Sequence, residues 1–333
     1  MTHPELSPQI VEEFQRKYRL LKDEISKRIV GYGEKIDDVL TAMFAGGHVL
    51  LEGVPGLGKT LLVRTISEAT DLSFSRIQFT PDLMPADITG TNILVDDDQG
   101  GRAFRFQAGP IFAHLVLADE VNRATPKTQS AILEAMQEQT VTVGGQTHPL
   151  PAPFWVLATQ NPIEMEGTYP LPEAQVDRFF FKVDVTPQGE QELIQIVDRT
   201  TGDDEIKIRS VLNADDIVAM QRAVRQVLAA EFVQRYAARL ALGTHPDSPF
   251  ATEMTKRFVR FGVSPRGVQT LILASKVRAL LANRYTVSCE DIRAVARPAL
   301  RHRVIRNFEG EAEGISADSV LTALIESVAE PAA

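Results

Sequence analysis

The chain has a single cysteine, Cys289, in 333 residues. No intrachain disulfide can form, and no thiolate cluster is available to a metal. Basic residues are outnumbered: 35 Lys and Arg stand against 44 Asp and Glu, a formal net charge of −9. That balance removes the electrostatic reason for binding nucleic acid or an anionic membrane surface. No apolar run approaches the length that spans a bilayer. The first residues, Met1–Ser7, lack the basic-then-apolar pattern of a secretion signal. A cytoplasmic protein with no membrane insertion is expected. Internal repeats and low-complexity tracts are absent as well. Apolar residues make up 44% and charged ones 24%, as in an ordinary globular protein, and the length suits about two domains.

What is present centres on Gly53-Val54-Pro55-Gly56-Leu57-Gly58-Lys59-Thr60. An apolar run, His48–Glu52, precedes it and reads as a buried strand; Lys59 to Ile66 follows and reads as the start of a helix. Strand, glycine-rich loop and helix are the setting this G-x-x-x-x-G-K-[ST] pattern requires. The glycines let backbone N–H groups turn inward around phosphate oxygens, and the helix N-terminus adds its positive dipole end. Contacts to a nucleoside triphosphate are expected from Gly53 through Leu61. Lys59 reaches the β- and γ-phosphates, and the Thr60 hydroxyl ligates Mg²⁺.

Apolar positions at helical spacing (Ile10, Phe14, Tyr18, Leu21, Ile25) predict an amphipathic helix over about 5–28. Ile29-Val30-Gly31-Tyr32-Gly33 breaks it, and Glu34 to Phe44 resumes a helical pattern. Four further strands are expected at Phe74–Phe79, Ala113–Ala118, Phe154–Ala158 and Phe179–Val183, alternating with helical or looped segments. That alternation argues for an α/β fold, a mainly parallel five-stranded sheet with helices on both faces. Two hairpins interrupt it. Ile93–Val95 and Arg102–Phe106 flank the polar turn Asp96–Gly101, which reads as a solvated turn rather than a metal site. Thr140–Val143 and Gln146–Leu150 flank Gly144-Gly145, and Pro149 would put the second strand at an edge. Strand signals stop near 213. Asn213 can cap a helix running to about Leu228, and Ser288-Cys289-Glu290-Asp291 fits a capping box. The expected organisation is a sheet domain with its leading helix over 1–190, a connecting segment over 191–212, and a small all-helical domain over 213–333.

Ala113–Glu120 is an apolar strand ending in two carboxylates. A strand adjacent to the phosphate-loop strand would deliver both to the cation and the γ-phosphate. Asp119 then holds the Mg²⁺ hydration shell and Glu120 accepts a proton from the attacking water. Phe154–Pro162 is another apolar strand ending in amides; Asn161 either orients that water or simply starts a turn with Pro162. Ser264-Pro265-Arg266 reads as N-cap, first and second helical positions. A cation there opposes the helix dipole, so an anion is expected beside Arg266. Arg178 stands between Asp177 and the apolar Phe179-Phe180-Phe181, at a strand edge. It is either a surface salt-bridge partner or a reagent for a neighbouring subunit's γ-phosphate.

Together these motifs resemble the MoxR family of AAA+ ATPases over nearly the whole chain. The resemblance is carried by the loop at 53–60, Leu117–Ala124, Ala158–Pro162, Glu166–Phe179 and Gly262–Gly267. It implies a P-loop AAA+ domain with a helical lid, binding ATP or ADP with Mg²⁺. Asn161 resembles the sensor-1 residue, Arg178 the arginine finger and Arg266 the sensor-2 arginine. The two hairpins resemble the helix-2 and pre-sensor-1 inserts. Ile29, Val30 and Gly31 fall where such proteins cradle adenine, although a helix-ending glycine would look much the same. Arg123 serves either a ring interface or only a local carboxylate. The implied activity is ATP hydrolysis to ADP and phosphate by a homo-oligomer, a hexameric ring. The ring would remodel or mature a protein client, in some cases a metalloenzyme, with a von Willebrand factor A domain protein as partner. A nucleic-acid motor of a related helix-2-insert clade is the alternative. Against it, Thr140–Pro151 contains no Lys or Arg with which to track phosphates. A GTPase lacks support because no Asn-Lys-x-Asp segment is present. A module that binds nucleotide without turnover would not need Glu120, Asn161 and Arg178.

Overall fold

The structure is a computed structural model that describes residues 6–96, 102–162, 167–202 and 206–331. The chain opens with α1 (Pro8–Arg28) and α2 (Gly33–Ala45). β1 (Val49–Glu52) runs through the phosphate loop into α3 (Lys59–Thr70), followed by β2 (Phe74–Gln78), α4 (Pro85–Thr89) and the hairpin β3 (Gly90–Asp96) and β4 (Arg102–Ala108). Next come β5 (Leu115–Asp119), α5 (Pro126–Glu138), the hairpin β6 (Thr140–Val143) and β7 (Gln146–Pro149), β8 (Trp155–Gln160), α6 (Glu173–Val176) and β9 (Phe181–Asp184). After α7 (Glu190–Thr200) the lid comprises α8 (Ala214–Gln226), α9 (Glu231–Gly243), α10 (Glu253–Phe258), β10 (Val259–Phe261), α11 (Pro265–Leu281), α12 (Cys289–Leu300), β11 (Ile305–Arg306), α13 (Phe308–Ala312) and α14 (Ala317–Ser327).

Five strands form one parallel sheet in the order β2-β5-β8-β1-β9. The three central strands, β1, β5 and β8, are buried at both alternating positions because both faces are covered, whereas the edge strands β2 and β9 carry polar residues such as Arg76 and Lys182. Val49, Leu51, Leu115, Leu117, Leu157 and Val183 point into a core shared with α1, α2, α3 and the lid. Leu50, Val116, Ala118, Val156 and Ala158 point the other way, against Ile132, Leu133 and Met136 of α5. A parallel sheet brings all its C-terminal strand ends to one edge, which is where such folds bind ligands.

The leading helix forms as its spacing predicts, with Ser7 as N-cap and Pro8 at its first position. Its buried stripe is Val11, Phe14, Tyr18, Leu21 and Ile25; Ile10 lies at the margin. This helix bridges the sheet domain and the lid. Gln15 Nε2 donates to Leu280 O at 2.9 Å, Lys17 Nζ meets Asp216 at 2.7 Å, and Arg28 reaches Glu68 at 2.6 Å. Helix α2 ends at Gly46, whose φ of 79° is the left-handed turn that glycine adopts without strain.

Both hairpins form as the alternation and turns suggest, and they pack on each other. Phe106 of β4 stacks on His148 of β7 at 3.9 Å between ring centroids and 14° between planes. Gly144 and Gly145 both have positive φ, at 57° and 81°, as a two-residue turn of this kind demands. Asp96 pairs loosely with Arg102 at 3.6 Å; Asp97 to Gly101 of that turn lie outside the described residues, as does Glu166. Two details depart from the expectation. The segment read as a connector begins with helix α7. The lid is mainly helical but carries a short antiparallel ladder, β10 with β11, and a single parallel bridge between Leu228 and Thr286, both too brief to announce by periodicity.

Candidate nucleotide site

The site is assembled at the C-terminal ends of β1, β8 and β5. Gly56 and Gly58 have φ of 84° and 76°, and a Cβ on either would meet nothing within 4 Å, so the loop presents open backbone above its turn. Lys59 folds back and donates to the carbonyls of Gly53 and Val54, the latter at 3.0 Å. Burial lowers its pKa, while Asp119, Glu120 and Glu52 pull the other way and favour its charge. Thr60 Oγ1 lies 3.5 Å from Asp119 Oδ2, so hydroxyl and carboxylate face one point. Mg²⁺ is characteristically held by one or two such groups together with phosphate oxygens and water. Thr60, Asp119 and the open loop fit that demand.

The strand carrying Asp119 and Glu120 is not the neighbour of the phosphate-loop strand, contrary to the expectation. β8 lies between β1 and β5. The intervening strand contributes a buried hydroxyl that joins both carboxylate residues: Thr159 Oγ1 donates to Asp119 Oδ1 at 2.6 Å and accepts from Glu120 N at 2.8 Å. Glu120 has φ 56°, an uncommon conformation for a non-glycine residue. Two side chains fix its carboxylate there. Gln78 Nε2 donates at 2.7 Å and Arg123 Nη1 pairs at 3.1 Å. Arg123 thus serves at least the local carboxylate. Asn161, buried, begins one residue beyond β8, and its carbonyl accepts from Asn122 Nδ2 at 3.4 Å.

Four contributors were not singled out from sequence. Arg76 binds Asp119 Oδ2 at 2.7 Å through Nη2 and 3.0 Å through Nε. Gln78 is in register with Asp119. Arg76 and Gln78 alternate around buried Ile77, so polar residues at i and i+2 of a short strand were the available signal. Thr159 stands two residues before Asn161. Tyr32 follows the expected adenine segment and donates to Leu57 O at 2.9 Å, tying residues 29–32 to the phosphate loop. Ile29 and Val30 are buried beside it, and Gly31, φ 77°, lies against Glu192 of α7.

Arg178 and Arg266 lie elsewhere. Arg178 is half-buried, donates from Nη1 to Leu133 O at 2.9 Å, and lines a polar cleft of about 570 Å³ with Glu134, Gln137 and Thr142. Ser264 caps α11 as its sequence suggests, accepting from Arg266 N at 3.2 Å. The anion beside Arg266 is the protein's own: Asp177 Oδ2 at 3.6 Å, with Gln137 Oε1 at 3.3 Å. The two arginines therefore share a face, and their described hydrogen bonds and ion pairs include no residue of the phosphate loop.

A parallel sheet in this order, a phosphate loop, a strand-end Asp-Glu pair and a helical lid define an ATPase of the AAA+ class. Residues 48–181 match the "ATPase family associated with various cellular activities (AAA)", and residues 251–324 match the AAA lid domain. Over 311 residues the chain is 40% identical to Chaperone MoxR1 of Mycobacterium tuberculosis, covering 92% of this chain and 81% of that one. It is also 40% identical to YeaC of Bacillus subtilis, with 93% of each chain covered. A crystal structure from Cytophaga hutchinsonii superposes with a TM-score of 0.90 at 39% identity, covering 97% of this chain and 98% of that one. The chain belongs to the MoxR family of AAA+ ATPases.

Proposed function

We propose that this protein is a Mg²⁺-dependent ATP hydrolase that works as a closed hexameric ring and remodels or matures a protein client. The observation that carries the reading is the division of charged residues between two faces. Lys59, Thr60, Asp119, Glu120 and Asn161 gather at one sheet edge, whereas Arg178 reaches Leu133 O and Arg266 pairs with Asp177. The described arginines at that edge are engaged with its carboxylates, Arg76 with Asp119 and Arg123 with Glu120. An arginine for the transferred phosphate would then come from a neighbouring copy, and head-to-tail contacts of that kind form rings when the rotation closes.

In this reading Gly53–Leu61 and the α3 N-terminus hold the phosphates, and Ile29–Gly31 with Tyr32 hold the adenine end. Thr60 and Asp119 hold Mg²⁺, which when bound neutralises charge on the phosphate oxygens. Glu120, fixed by Gln78 and Arg123, takes the proton of the attacking water, and Asn161 orients that water. Arg178 of the next subunit stabilises charge on the transferred group, with Arg266 arriving from the same face in trans. The chaperone name of a 40% identical relative supports a protein client. So does the free face of the β3–β4 hairpin, where exposed Leu94 and Phe104 stand directly opposite each other. A von Willebrand factor A domain protein is the first partner to test, and salt-sensitive stimulation by DNA would favour the motor instead.

Subunit mixing tests the trans arrangement. Arg178→Ala and Lys59→Ala proteins should each be inactive, and their mixture should regain hydrolysis because each supplies what the other lacks. A fully active monomer by light scattering in ATP would overturn the ring.

A further inference from the structure

Between the end of α12 and β11 the lid inserts two buried side chains, His302 and Arg303, into the segment that carries Arg178. Arg303 is only 5% exposed. Its five N–H groups all find acceptors: Asp177 Oδ1 at 2.8 Å, Asp177 O at 2.9 Å, Phe179 O at 2.8 Å, Phe180 O at 3.3 Å, and Ala299 O near the end of α12. His302 Nε2 adds a second hydrogen bond to Phe179 O at 3.0 Å. A carbonyl only accepts, so the proton sits on Nε2 and the ring is neutral; burial keeps its pKa well below the usual value. The carbonyls on both sides of Arg178 are thus gripped by the lid. The Asp177 carboxylate also accepts from Ser264 Oγ at 3.0 Å, and Ser264 is the N-cap of the helix bearing Arg266.

We infer that Arg303 is a positioning residue for Arg178, and that Asp177 is the joint through which the lid aims Arg178 and Arg266 at the neighbouring subunit's nucleotide. The physical reason is the fork geometry of guanidinium. One planar group spans the Asp177 carboxylate and the carbonyls of Asp177, Phe179 and Phe180 at once, so it fixes the backbone path around residue 178. Any rotation of the lid carries Arg303 and the start of α11 together, and both arginines move with it. This inference rests on the reading of Arg178 as a trans-acting residue.

Arg303→Lys keeps the charge but cannot span those acceptors. Asp177→Asn keeps the shape and serves as a second variant should the first not fold, which thermal melting reports. ATP affinity should stay within about twofold, because the phosphate loop is untouched, while kcat falls about tenfold or more with KM unchanged, consistent with the 10³–10⁵ range for a supplied arginine. Mixed with Lys59→Ala subunits, Arg303→Lys protein should recover activity, since the partner offers an intact Arg178. Mixed with Arg178→Ala subunits it should not. Recovery in the Arg178→Ala and Lys59→Ala control without recovery for Arg303→Lys would overturn the inference, as would wild-type turnover by both variants. Failure of that control would instead overturn the trans role of Arg178 itself.

Discussion

Replacing Glu120 by Gln tests its proposed role as the general base while leaving the nucleotide-binding groups in place. The backbone of Glu120 is held through its N–H to Thr159 Oγ1 at 2.8 Å, which the substitution leaves alone. A glutamine oxygen still accepts from Gln78, at 2.7 Å in the native protein, and from Arg123 at 3.1 Å. The ionic part of the Arg123 pair is lost, together with the pull of the Glu120 charge on Lys59. With side chains 39% and 23% exposed, the ionic part of the Arg123 pair contributes at most about 1 kcal/mol. A melting temperature within about 3 °C of wild type is therefore expected. Proton acceptance disappears altogether, however, and a positioned general base contributes roughly 10²–10⁴ in rate. At about 1.36 kcal/mol per decade the barrier should rise by roughly 2.7–5.5 kcal/mol. Phosphate release under saturating ATP measures turnover, and equilibrium titration with a fluorescent ATP analogue measures affinity, which should hold. Turnover within tenfold of wild type, in a variant that binds nucleotide normally, would refute the assignment of Glu120 as the base.

Two further outcomes follow from other parts of the molecule. Lys59→Ala should fold normally yet lose ATP binding by at least about 100-fold, since it removes the loop's one ammonium beside the phosphates; the same titration checks it. Acid should destabilise the protein partly through His48. Its Nε2 hydrogen-bonds Met136 O at 3.1 Å and its Nδ1 accepts from Val156 N at 3.0 Å, so the folded ring is neutral, and burial lowers its pKa to about 4. A lowered folded pKa means that the unfolded chain takes up the proton first. Stability is therefore complete above about 6.5 and is lost as pH falls toward 4, by about 1.4 kcal/mol at pH 5.5. Asp38, raised to about 6 by burial, works in the opposite sense over the same range. The check is thus the difference in melting between wild type and His48→Gln at pH 7.5 and 5.5. Parallel shifts in the two proteins would sink the assignment to His48.

Much of this protein is legible in its sequence because the decisive signals are local. A phosphate loop is a short-range backbone device, so its glycines, Lys59 and Thr60 are recognisable wherever a strand precedes and a helix follows. Caps are equally local: Asn213, Ser264 and Ser288 each bond a backbone N–H within three residues. Strands buried on both faces declare themselves as unbroken apolar runs, and all five sheet strands were found within two residues of their observed starts. Strand order is another matter. Nothing in the run ending at Asp119 says that β8 separates it from β1, because lateral order depends on which crossovers pack, not on the strand itself.

The sequence by itself determined the chemistry available, the parallel sheet, and the helical character of the lid. Only the tertiary structure decided who meets whom. Gln78 reaches Glu120 across 42 residues, Arg303 closes on Asp177 across 126, and Phe106 stacks on His148 between two separate hairpins. It also set Arg178 and Arg266 on a face apart from the phosphate loop. Periodicity and capping report only what lies within a few residues along the chain. A side chain's partner across the fold is fixed by close packing of whole elements, and no single stretch of sequence contains that information.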